Sequence, residues 1–492
     1  MLHSTNGFRD RAGLRAESVR WLAAVCRRQK GRPTVISGWS QGGVFAFLLG
    51  QQEGVMSISR RRILKNTGGG LAGILASGVA PYHFVRNIAK AAEGDTIKVG
   101  ILHSLSGTIA IIESSLHNAE LLAIEEINAK GGVLGKKIQP VVEDPQSMVQ
   151  VFAEKAKRLL LEEKVVAVLG CYTSASRQSV LPVFEENNGV LLYPTLYEAQ
   201  ECSKNCFYTG AVPNQQLDDF VPWIINTLGR KKFYLIGANY IYPKETNREV
   251  KALLQKHGGT TVAEEYSPLG STEFSTNINK IASSGCDIVF SDLVGDQIVA
   301  FYKQFKEFGI TAKDIPICTP ITTEQEIAAM GAENAVGHYT SFNYFQSVDT
   351  PQNKSFVERY KAKYGKNAVT NAVMEAAYFQ TYFLAQAIAK VKSTDADALI
   401  FDGLPGQEFL APQGKVKIDE KNHHTWLWAR IGKANEQGQF DVVWKSEDWI
   451  RPQPWVPYLY PNKTCDFTDK RVLDRVKKPW SADKNRSGTI DL

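Results

Sequence analysis

From Ile97 onward, short apolar runs alternate with amphipathic segments along the chain, which is the pattern of strands followed by helices. The first series predicts strand Ile97–Leu102, helix Ser115–Lys130, strand Lys137–Glu143, helix Val149–Lys164, strand Val165–Leu169 and strand Val190–Leu192. Between the last two strands, Val180, Val183 and Phe184 form a further helical pattern. Repeated strand–helix units favour a parallel sheet, because each right-handed crossover returns the chain to the same end. We therefore expect an α/β fold.

A second series of strands and helices begins near Asn214 and predicts a second parallel sheet. It comprises helix Gln216–Leu228, strand Phe233–Ile236, helix Thr246–His257, strand Thr261–Tyr266, helix Phe274–Ser284, strand Ile288–Ser291, helix Gln297–Phe308 and strand Ile315–Cys318. The later predicted elements are helices Gln352–Tyr364 and Asn371–Lys390 and strands Lys415–Ile418, Trp426–Ile431 and Phe440–Trp444.

Two sheets in tandem, followed by segments that return to complete each one, predict two lobes with a ligand cleft between them. We assign residues 95–213 and 341–398 to lobe 1, 214–340 and 399–450 to lobe 2, and 451–492 to a surface tail. The chain has 492 residues, of which 43% are hydrophobic, and is therefore long enough to bury the cores of two such lobes.

Three turns that contain tyrosine follow predicted strands, over residues 171–174, 193–198 and 239–243. The carboxyl ends of parallel strands are where such folds bind ligands. Hydroxyl groups can both donate and accept hydrogen bonds, and tyrosine rings offer flat apolar walls. These turns contain no evident nucleophile–base pair, so we expect a site that holds a small polar molecule without transforming it. For any single tyrosine, half-buried packing is the alternative interpretation.

Two further loops are candidates for the same site. Ser106 belongs to a Ser-Gly-Thr loop after the first strand. Asp292 and Asp296 flank the loop after strand Ile288–Ser291, where a carboxylate could accept hydrogen bonds from an amide or amine. Capping of a helix N-terminus is an equally good interpretation of Asp296.

Charge and metal-ligand patterns exclude several functions. Residues 1–91 hold 14 Lys and Arg against 3 Asp and Glu, which leaves the rest of the chain acidic despite a net charge of +6. An acidic body argues against nucleic acid or an anionic membrane surface as partner.

His423 and His424 are adjacent, so on a strand they face opposite sides and cannot chelate one metal. We expect no metal and no cofactor. Cys202 and Cys206 could pair in an oxidising compartment or remain free thiols.

The segment Ser59–Lys65 resembles a twin-arginine export signal, and a weakly apolar segment, Gly68–Ala80, follows it. Ala89-Lys90-Ala91 then offers a cleavage site between small residues. We therefore expect a signal over 56–91 that is removed near Ala91. Met56 would be the true start, with 1–55 an upstream misassignment. The apolar segment is too short to span a bilayer, so we expect no direct membrane insertion. The alternative is a basic helix of the body.

A serine-hydrolase motif near the start of the chain lies upstream of the expected export signal, and we interpret it as a coincidental match. Gly38-Trp39-Ser40-Gln41-Gly42 fits the nucleophile elbow, but too few residues separate it from the export signal to form a hydrolase domain. Cys171 has no evident histidine partner and is interpreted as a packed thiol. We therefore expect a protein that is not an enzyme.

Several motifs in combination resemble a known family over nearly all of Ile97 to Pro457. GILHSLSGTIAI at Gly100–Ile111, INAKGGVLGKKI at Ile127–Ile138 and GCYTS resemble the type I solute-binding proteins of ABC transporters. YPTLYE, FYTGAVPNQQ, NYIYP, MEAAYF and KNHHTW are similar to the urea and short-chain-amide receptors among them.

The resemblance implies two Rossmann-like lobes with parallel sheets, joined by a three-crossover hinge, that close over one small solute. It implies ligand contacts from Tyr172, Ser174, Tyr193 and Thr195 in lobe 1 and from Tyr240 and Tyr242 in lobe 2. It also implies a periplasmic protein whose partner is an ABC permease in the inner membrane. The ligand remains open among urea, acetamide, formamide and a larger amide. A cytoplasmic amide-sensing regulator of the same fold is the alternative.

Overall fold

The computed structural model describes residues 96–491. The expected upstream segment over 1–55, the nucleophile-elbow serine Ser40 and the expected signal over 56–91 lie outside the described residues. All statements below concern the part of the chain from Thr96 to Asp491.

Five parallel strands form the sheet of lobe 1, in the spatial order β2-β1-β3-β4-β5. The strands are β1 Thr96–Leu102, β2 Lys137–Glu143, β3 Val168–Gly170, β4 Leu191–Tyr193 and β5 Cys206–Tyr208, and the helices between them are α1 Ala110–Ala129, α2 Val149–Lys157 and α3 Ser174–Glu186. Along α1, Ile112, Leu116, Ala119 and Ala123 recur every three or four residues and are all fully buried. This spacing explains why the segment folds as a helix against the sheet.

Seven strands form the sheet of lobe 2, in the order β15-β14-β10-β9-β8-β6-β7. The strands are β6 Lys232–Ala238, β7 Thr260–Ser267, β8 Ile288–Asp292, β9 Ile317–Thr319, β10 Tyr339–Phe342, β14 Arg430–Ala434 and β15 Phe440–Lys445, and the helices are α4 Leu217–Asn226, α5 Ile241–His257, α6 Ser275–Ser283, α7 Asp296–Glu307, α8 Glu324–Met330 and α9 Ala332–Ala335. Strands β6 to β10 pair in parallel. The late strands β14 and β15 extend the sheet beyond β10 with antiparallel pairing.

The chain then returns to lobe 1. The returning elements are α10 Pro351–Tyr364, α11 Ala372–Val391, α12 Ala396–Ala398 and a small sheet of β11 Glu408–Ala411, β12 Gly414–Ile418 and β13 Thr425–Trp426. Helix α11 packs along α1, where the Gln380 amide donates to Glu120 at 2.8 Å. On another side of α11, Phe409 stacks against Tyr382 with ring centroids 4.9 Å apart. Residues 399–426, which the sequence assigns to lobe 2, therefore pack on lobe 1, because α11 is apolar on almost every side and needs cover.

Three connections run between the lobes, over residues 209–216, 343–350 and 427–429. The first leaves β5 of lobe 1 for α4, the second leaves β10 of lobe 2 for α10, and the third leads from β13 into β14. The expected α/β fold, with parallel sheets in two lobes, is confirmed.

The sequence assigns residues 451–492 to a surface tail, but this segment is an ordered part of the fold. It contains β16 Lys463–Cys465, α13 Lys470–Val476 and β17 Thr489–Asp491. A disulfide joins Cys202 to Cys465. The possible Cys202–Cys206 pair is therefore wrong: Cys206 begins β5 and is a buried free thiol. Strand pairing with Leu191 holds Cys206 within the sheet, so its side chain packs in the core of lobe 1.

Candidate functional site

A small cavity lies where the carboxyl ends of both sheets meet. Its lining residues are Tyr172, Ser174, Thr195, Leu196, Tyr240, Tyr242, Val294 and Ile321. The space open to a water-sized sphere is about 10 Å³, which is room for about one water molecule. Four of these residues come from lobe 1 and four from lobe 2, and all except the half-buried Tyr240 are buried. The two lobes therefore enclose this space between them.

Lobe 1 supplies its wall from the segments that follow β3 and β4. Strand β3 ends at Gly170, where a Cβ atom would lie 2.5 Å from the carbonyl oxygen of Leu102, so only glycine fits there. Cys171 then takes a left-handed conformation with φ of 67°. The Thr173 hydroxyl accepts a hydrogen bond from the Ser176 amide and caps α3. This tight turn places Tyr172 and Ser174 at the cavity.

Lobe 2 supplies Tyr240 and Tyr242 from the start of a helix. The sequence predicts a turn over 239–243 and a helix from Thr246, but α5 begins at Ile241 with Tyr240 as its N-cap residue. Pro243 lies in the first helical turn, a position that proline favours because no amide donor is needed there. The two tyrosine rings lie 6.3 Å apart. Tyr240 has an extended backbone, with φ of −149°, so it is this non-helical residue before the helix that lets both tyrosines line the same wall.

A buried ionic network supports Ser174 from behind. The Ser174 hydroxyl donates to the carboxylate of Glu198. Arg177 pairs with Glu198 at 3.1 Å and with Glu201 at 2.9 Å, and its guanidinium lies 4.1 Å from the ring centroid of Tyr197. The Ser174 proton is committed to Glu198, and the Ser174 oxygen also accepts from Arg177 Nη1 at 3.3 Å, so it retains one acceptor position for a ligand. Burial raises the pKa of Glu198, and the Arg177 charge opposes that rise.

Tyr193 stands behind the cavity wall. Its hydroxyl donates to the carbonyl oxygen of Tyr172 at 2.6 Å, and its ring packs edge-on against Tyr197 and Tyr208. Tyr193 is fully buried. It therefore supports the Tyr172 turn, while Tyr172, Ser174, Thr195, Tyr240 and Tyr242 are the predicted residues that the fold brings together around the cavity.

Ser106 lies in the loop after β1 and Asp296 begins α7, and the loops next to them approach each other away from the cavity lining. The exposed Ser106 hydroxyl donates to Asp144 at 2.9 Å. Asp296 is half-buried, and its amide donates to the carbonyl oxygen of Thr108 in lobe 1 at 3.4 Å. A Cβ atom on Gly295 would lie 2.5 Å from that same oxygen. The two loops are therefore part of the contact between the lobes.

Asp292, which the sequence places beside the loop after strand Ile288–Ser291, is buried in the strand itself. It is the last residue of β8, pairs in register with Gly237 of β6, and is fully buried. Neither carboxylate oxygen has a hydrogen-bond partner among the described residues. After burial, the Asp292 charge is the largest influence that raises the pKa of Tyr242. The strand ends one residue later than the pattern predicts, which places Asp292 inside the lobe and Asp296 at its edge.

The candidate chemical groups elsewhere are structural. Burial raises the pKa of the Cys171 thiol, so it stays protonated and unreactive. The His423 ring stacks between Phe207 and Phe467, and the His424 ring stacks on Tyr208. Burial lowers the pKa of both histidines to about 3. From Thr96 to Asp491, no three His, Cys, Asp or Glu side chains are grouped to hold a metal.

Residues 97–461 match the family model described as periplasmic binding protein domain. The chain is 25% identical over 348 residues to the Leu/Ile/Val-binding protein homolog 6 of Brucella suis, covering 68% of this chain and 87% of that protein. It is 41% identical over 163 residues to a protein named limonene hydroxylase from Geobacillus stearothermophilus. That match covers 33% of this chain and only 29% of the relative.

Solved structures share the fold. A Rhodopseudomonas palustris solute-binding protein in complex with benzoate superimposes with a TM-score of 0.65 at 19% identity, covering 72% of this chain and 97% of that one. The LivJ substrate-binding protein of Streptococcus pneumoniae in complex with isoleucine gives 0.63 at 24% identity, covering 73% and 100%.

Two lobes of parallel sheets that enclose one cavity define a binding protein of the type I class. The chain belongs to the periplasmic binding protein family, whose type I fold it shares with solute-binding proteins of ABC transporters. Among the described helices, none combines the length and apolar character needed to cross a membrane.

Proposed function

We propose that this protein captures urea or a short-chain amide in the cavity between its lobes and delivers the solute to an ABC permease in the inner membrane. The observation that carries this proposal is the size and chemistry of the cavity. Its open volume of about 10 Å³ lies far below the range of about 300–1,000 Å³ that is usual for ligand pockets, which favours a very small solute. A planar solute of four heavy atoms suits such a space better than an aromatic acid.

The lining chemistry favours a neutral solute that both donates and accepts hydrogen bonds. Five hydroxyl groups line the cavity, from Tyr172, Ser174, Thr195, Tyr240 and Tyr242, together with aliphatic side chains. No Lys or Arg stands among its eight lining residues, so a carboxylate ligand would find no cationic partner there. Urea presents one carbonyl acceptor and four N–H donors. In a dry cavity, a solute that lacks these groups would leave hydroxyls unpaired, which costs about 1–3 kcal/mol for each group.

Export to the periplasm is part of the proposal. The twin-arginine pattern at Ser59–Lys65 supports it, and so does the Cys202–Cys465 disulfide, because such bonds persist mainly in oxidising compartments. A cytoplasmic amide sensor would keep these two thiols reduced. The mature N-terminus distinguishes the two: cleavage near Ala91 in protein from the native host supports export, and an intact Met56 supports the sensor.

Isothermal titration calorimetry of the purified protein with urea, formamide, acetamide and isoleucine tests the ligand. We expect one saturable site for urea or an amide, with the solute recovered unchanged. Ser174→Ala should weaken binding about tenfold or more, because it removes a buried hydrogen-bond acceptor. The matched control is Ser283→Ala, at an exposed helix position. Binding of isoleucine alone would refute the urea or amide proposal.

A further inference from the structure

A groove on lobe 1, separate from the cavity between the lobes, has the size of a small-molecule site. Helices α1, α10 and α11 and strand β11 form its walls, and its lining includes Glu126, Arg359, Tyr382 and Leu410. Its open volume is about 640 Å³, within the range of about 300–1,000 Å³ that is usual for ligand pockets. No described residue lines both the groove and the cavity. A solute too large for the cavity therefore has room here.

A network of hydrogen bonds builds the polar wall of this groove. One carboxylate oxygen of Glu126 accepts from the hydroxyls of Tyr378 and Tyr382, at 2.6 and 2.5 Å. The other oxygen accepts from Arg359 Nε at 2.6 Å. Tyr378 is buried, which protects these bonds from water. Both oxygens of Glu126 are therefore occupied, and the network holds the guanidinium and the two phenols in place.

The guanidinium of Arg359 keeps hydrogen-bond donors for a ligand. Besides the Nε bond, one Nη donates to the Ser355 hydroxyl and the other to the Tyr378 hydroxyl at 3.0 Å. Since each Nη carries two N–H groups, one N–H on each remains after these bonds. The Arg359 side chain is 40% exposed, so a ligand in the groove can reach it. Two N–H groups on neighbouring nitrogens match the two oxygens of a carboxylate.

The charge balance of the groove favours an anion. Of the described residues that line it, Glu126 is the only acidic one, and it is already paired with Arg359. The exposed Lys130 adds a second cation. Gln352 lies in the first turn of α10, where free backbone amides give the helix end a partial positive charge. The groove is therefore locally positive, although the chain beyond residue 91 is acidic.

The rest of the lining is largely apolar and partly exposed. Phe409 stacks on Tyr382 with the ring planes 21° from parallel, and both rings are half-buried. Leu410, the next residue of β11, is 56% exposed, and Pro351 and Pro412 complete the apolar lining. A single exposed leucine needs no explanation, but apolar groups gathered in one groove indicate a binding surface. The paired rings offer a stacking partner for a flat ligand.

We propose that this groove binds an aromatic carboxylate, whose acid group pairs with Arg359 and whose ring lies against Phe409 and Leu410. The site does not rest on the proposed function, because it shares no residue with the cavity. An amide of the same shape would lose the charge-assisted pair, which is about twice as strong as a neutral hydrogen bond. An amine would place its cation against Arg359 and Lys130. The groove therefore selects by charge as well as by shape.

Calorimetric titration of the full chain with 2-naphthoate and with 2-naphthamide tests the inference. The two probes share one ring system and nearly one shape, and they differ in charge. We expect one saturable site for 2-naphthoate and binding of 2-naphthamide that is weaker by about tenfold or more. Arg359→Gln should weaken 2-naphthoate binding by about tenfold or more. The matched control is Arg158→Gln, at an exposed arginine of lobe 1 that also pairs with a glutamate, Glu143.

A second variant is needed because Arg359→Gln also removes a partner of Glu126. Leu410→Asp places a negative charge at an exposed position of the groove, so it should fold normally and lose 2-naphthoate binding. Its control is Leu161→Asp, at a leucine of lobe 1 that is 54% exposed and does not line the groove.

Three outcomes would overturn the inference: no binding of 2-naphthoate, equal affinity for the acid and the amide, or 2-naphthoate binding that persists unchanged in Leu410→Asp. A failure of urea and short amides to bind would refute the proposed function and leave this inference standing.

Discussion

The Tyr193 hydroxyl donates a 2.6 Å hydrogen bond to the carbonyl oxygen of Tyr172, which joins the two cavity-lining segments of lobe 1 through a residue that does not line the cavity. Tyr193 ends β4 and Tyr172 follows β3. The position of the Tyr172 ring therefore depends on a side chain that lies behind the cavity lining.

Tyr193→Phe tests this dependence. The variant leaves the Tyr172 carbonyl buried without its partner, so we expect the free energy of unfolding to fall by about 1–3 kcal/mol. Ligand affinity should fall as well, because the Tyr172 turn loses its support. Denaturant unfolding and calorimetric titration measure the two effects. Tyr339→Phe, on β10 of lobe 2, serves as the control and should change neither quantity by as much. Unchanged stability and affinity in Tyr193→Phe would remove Tyr193 from the supporting role.

The buried arginine behind Ser174 should be far more sensitive than surface arginines. Arg177 is fully buried between Glu198 and Glu201, so Arg177→Met leaves two carboxylates without their cation. We expect a loss of about 3–5 kcal/mol in the free energy of unfolding. Arg471→Ala, which breaks an exposed pair with Asp469, should cost at most about 1 kcal/mol. Denaturant unfolding of both variants checks the contrast, and equal losses would contradict it.

The stability of lobe 1 should depend on pH through His103. This histidine is fully buried, 3.0 Å from Glu120 and 3.5 Å from Glu113. Burial alone would lower its pKa, but the two carboxylates raise the pKa to about 9. Because the folded-state pKa lies above the ordinary value of 6.5, the stabilisation is complete below pH 6.5 and is lost as the pH rises to about 9. At about 1.4 kcal/mol for each pKa unit, the loss is about 3 kcal/mol.

Unfolding free energies measured from pH 6 to pH 9.5 test this effect. His103→Gln should remove most of the decline between these pH values, whereas His257→Gln, at the end of α5, should leave it in place. A decline of the same size in His103→Gln would assign the pH dependence to other groups.

The disulfide should stabilise the fold by tying the tail to lobe 1. Cys465→Ser removes the link, and loss of a native disulfide typically costs about 2–5 kcal/mol. Peptide mapping under non-reducing conditions should recover Cys202 joined to Cys465, and Cys206→Ala should leave that pair intact. A Cys202–Cys206 peptide in the mapped protein would contradict the connectivity.

Much of the site was predictable because of one rule of parallel sheets. Tyr172 and Thr195 follow neighbouring strands of one parallel sheet, and such strands end at a common edge, so their convergence needed no long-range information. Tyr240 follows a strand of the other sheet, and it meets them because the carboxyl ends of the two sheets face each other. The position at which strand β8 ends was not predictable in this way. Only the pairing of Asp292 with Gly237 shows that the strand extends far enough to bury this carboxylate. Strand ends depend on neighbouring strands, which one segment of sequence does not specify.

Two other features depended on contacts between distant segments. Cys202 and Cys465 are 263 positions apart, and nothing near either cysteine indicates its partner. The tail looks polar and rich in proline, yet it is ordered because it contacts both lobes. The Tyr458 hydroxyl donates to Asp218 of lobe 2 at 3.0 Å, and the Gly488 amide donates to the Cys202 carbonyl of lobe 1 at 2.7 Å. Local composition describes neither set of contacts.

Strand β14 lies beside β10 in the sheet of lobe 2, although all the returning helices of lobe 1 separate the two strands along the chain. During synthesis, β10 therefore emerges from the ribosome long before its neighbour exists. Until Arg430–Ala434 has been made, β10 offers an open edge of unpaired amide and carbonyl groups to other nascent chains. This edge is therefore an aggregation risk until β14 has been made, and we expect chaperone binding during that period to concentrate on it.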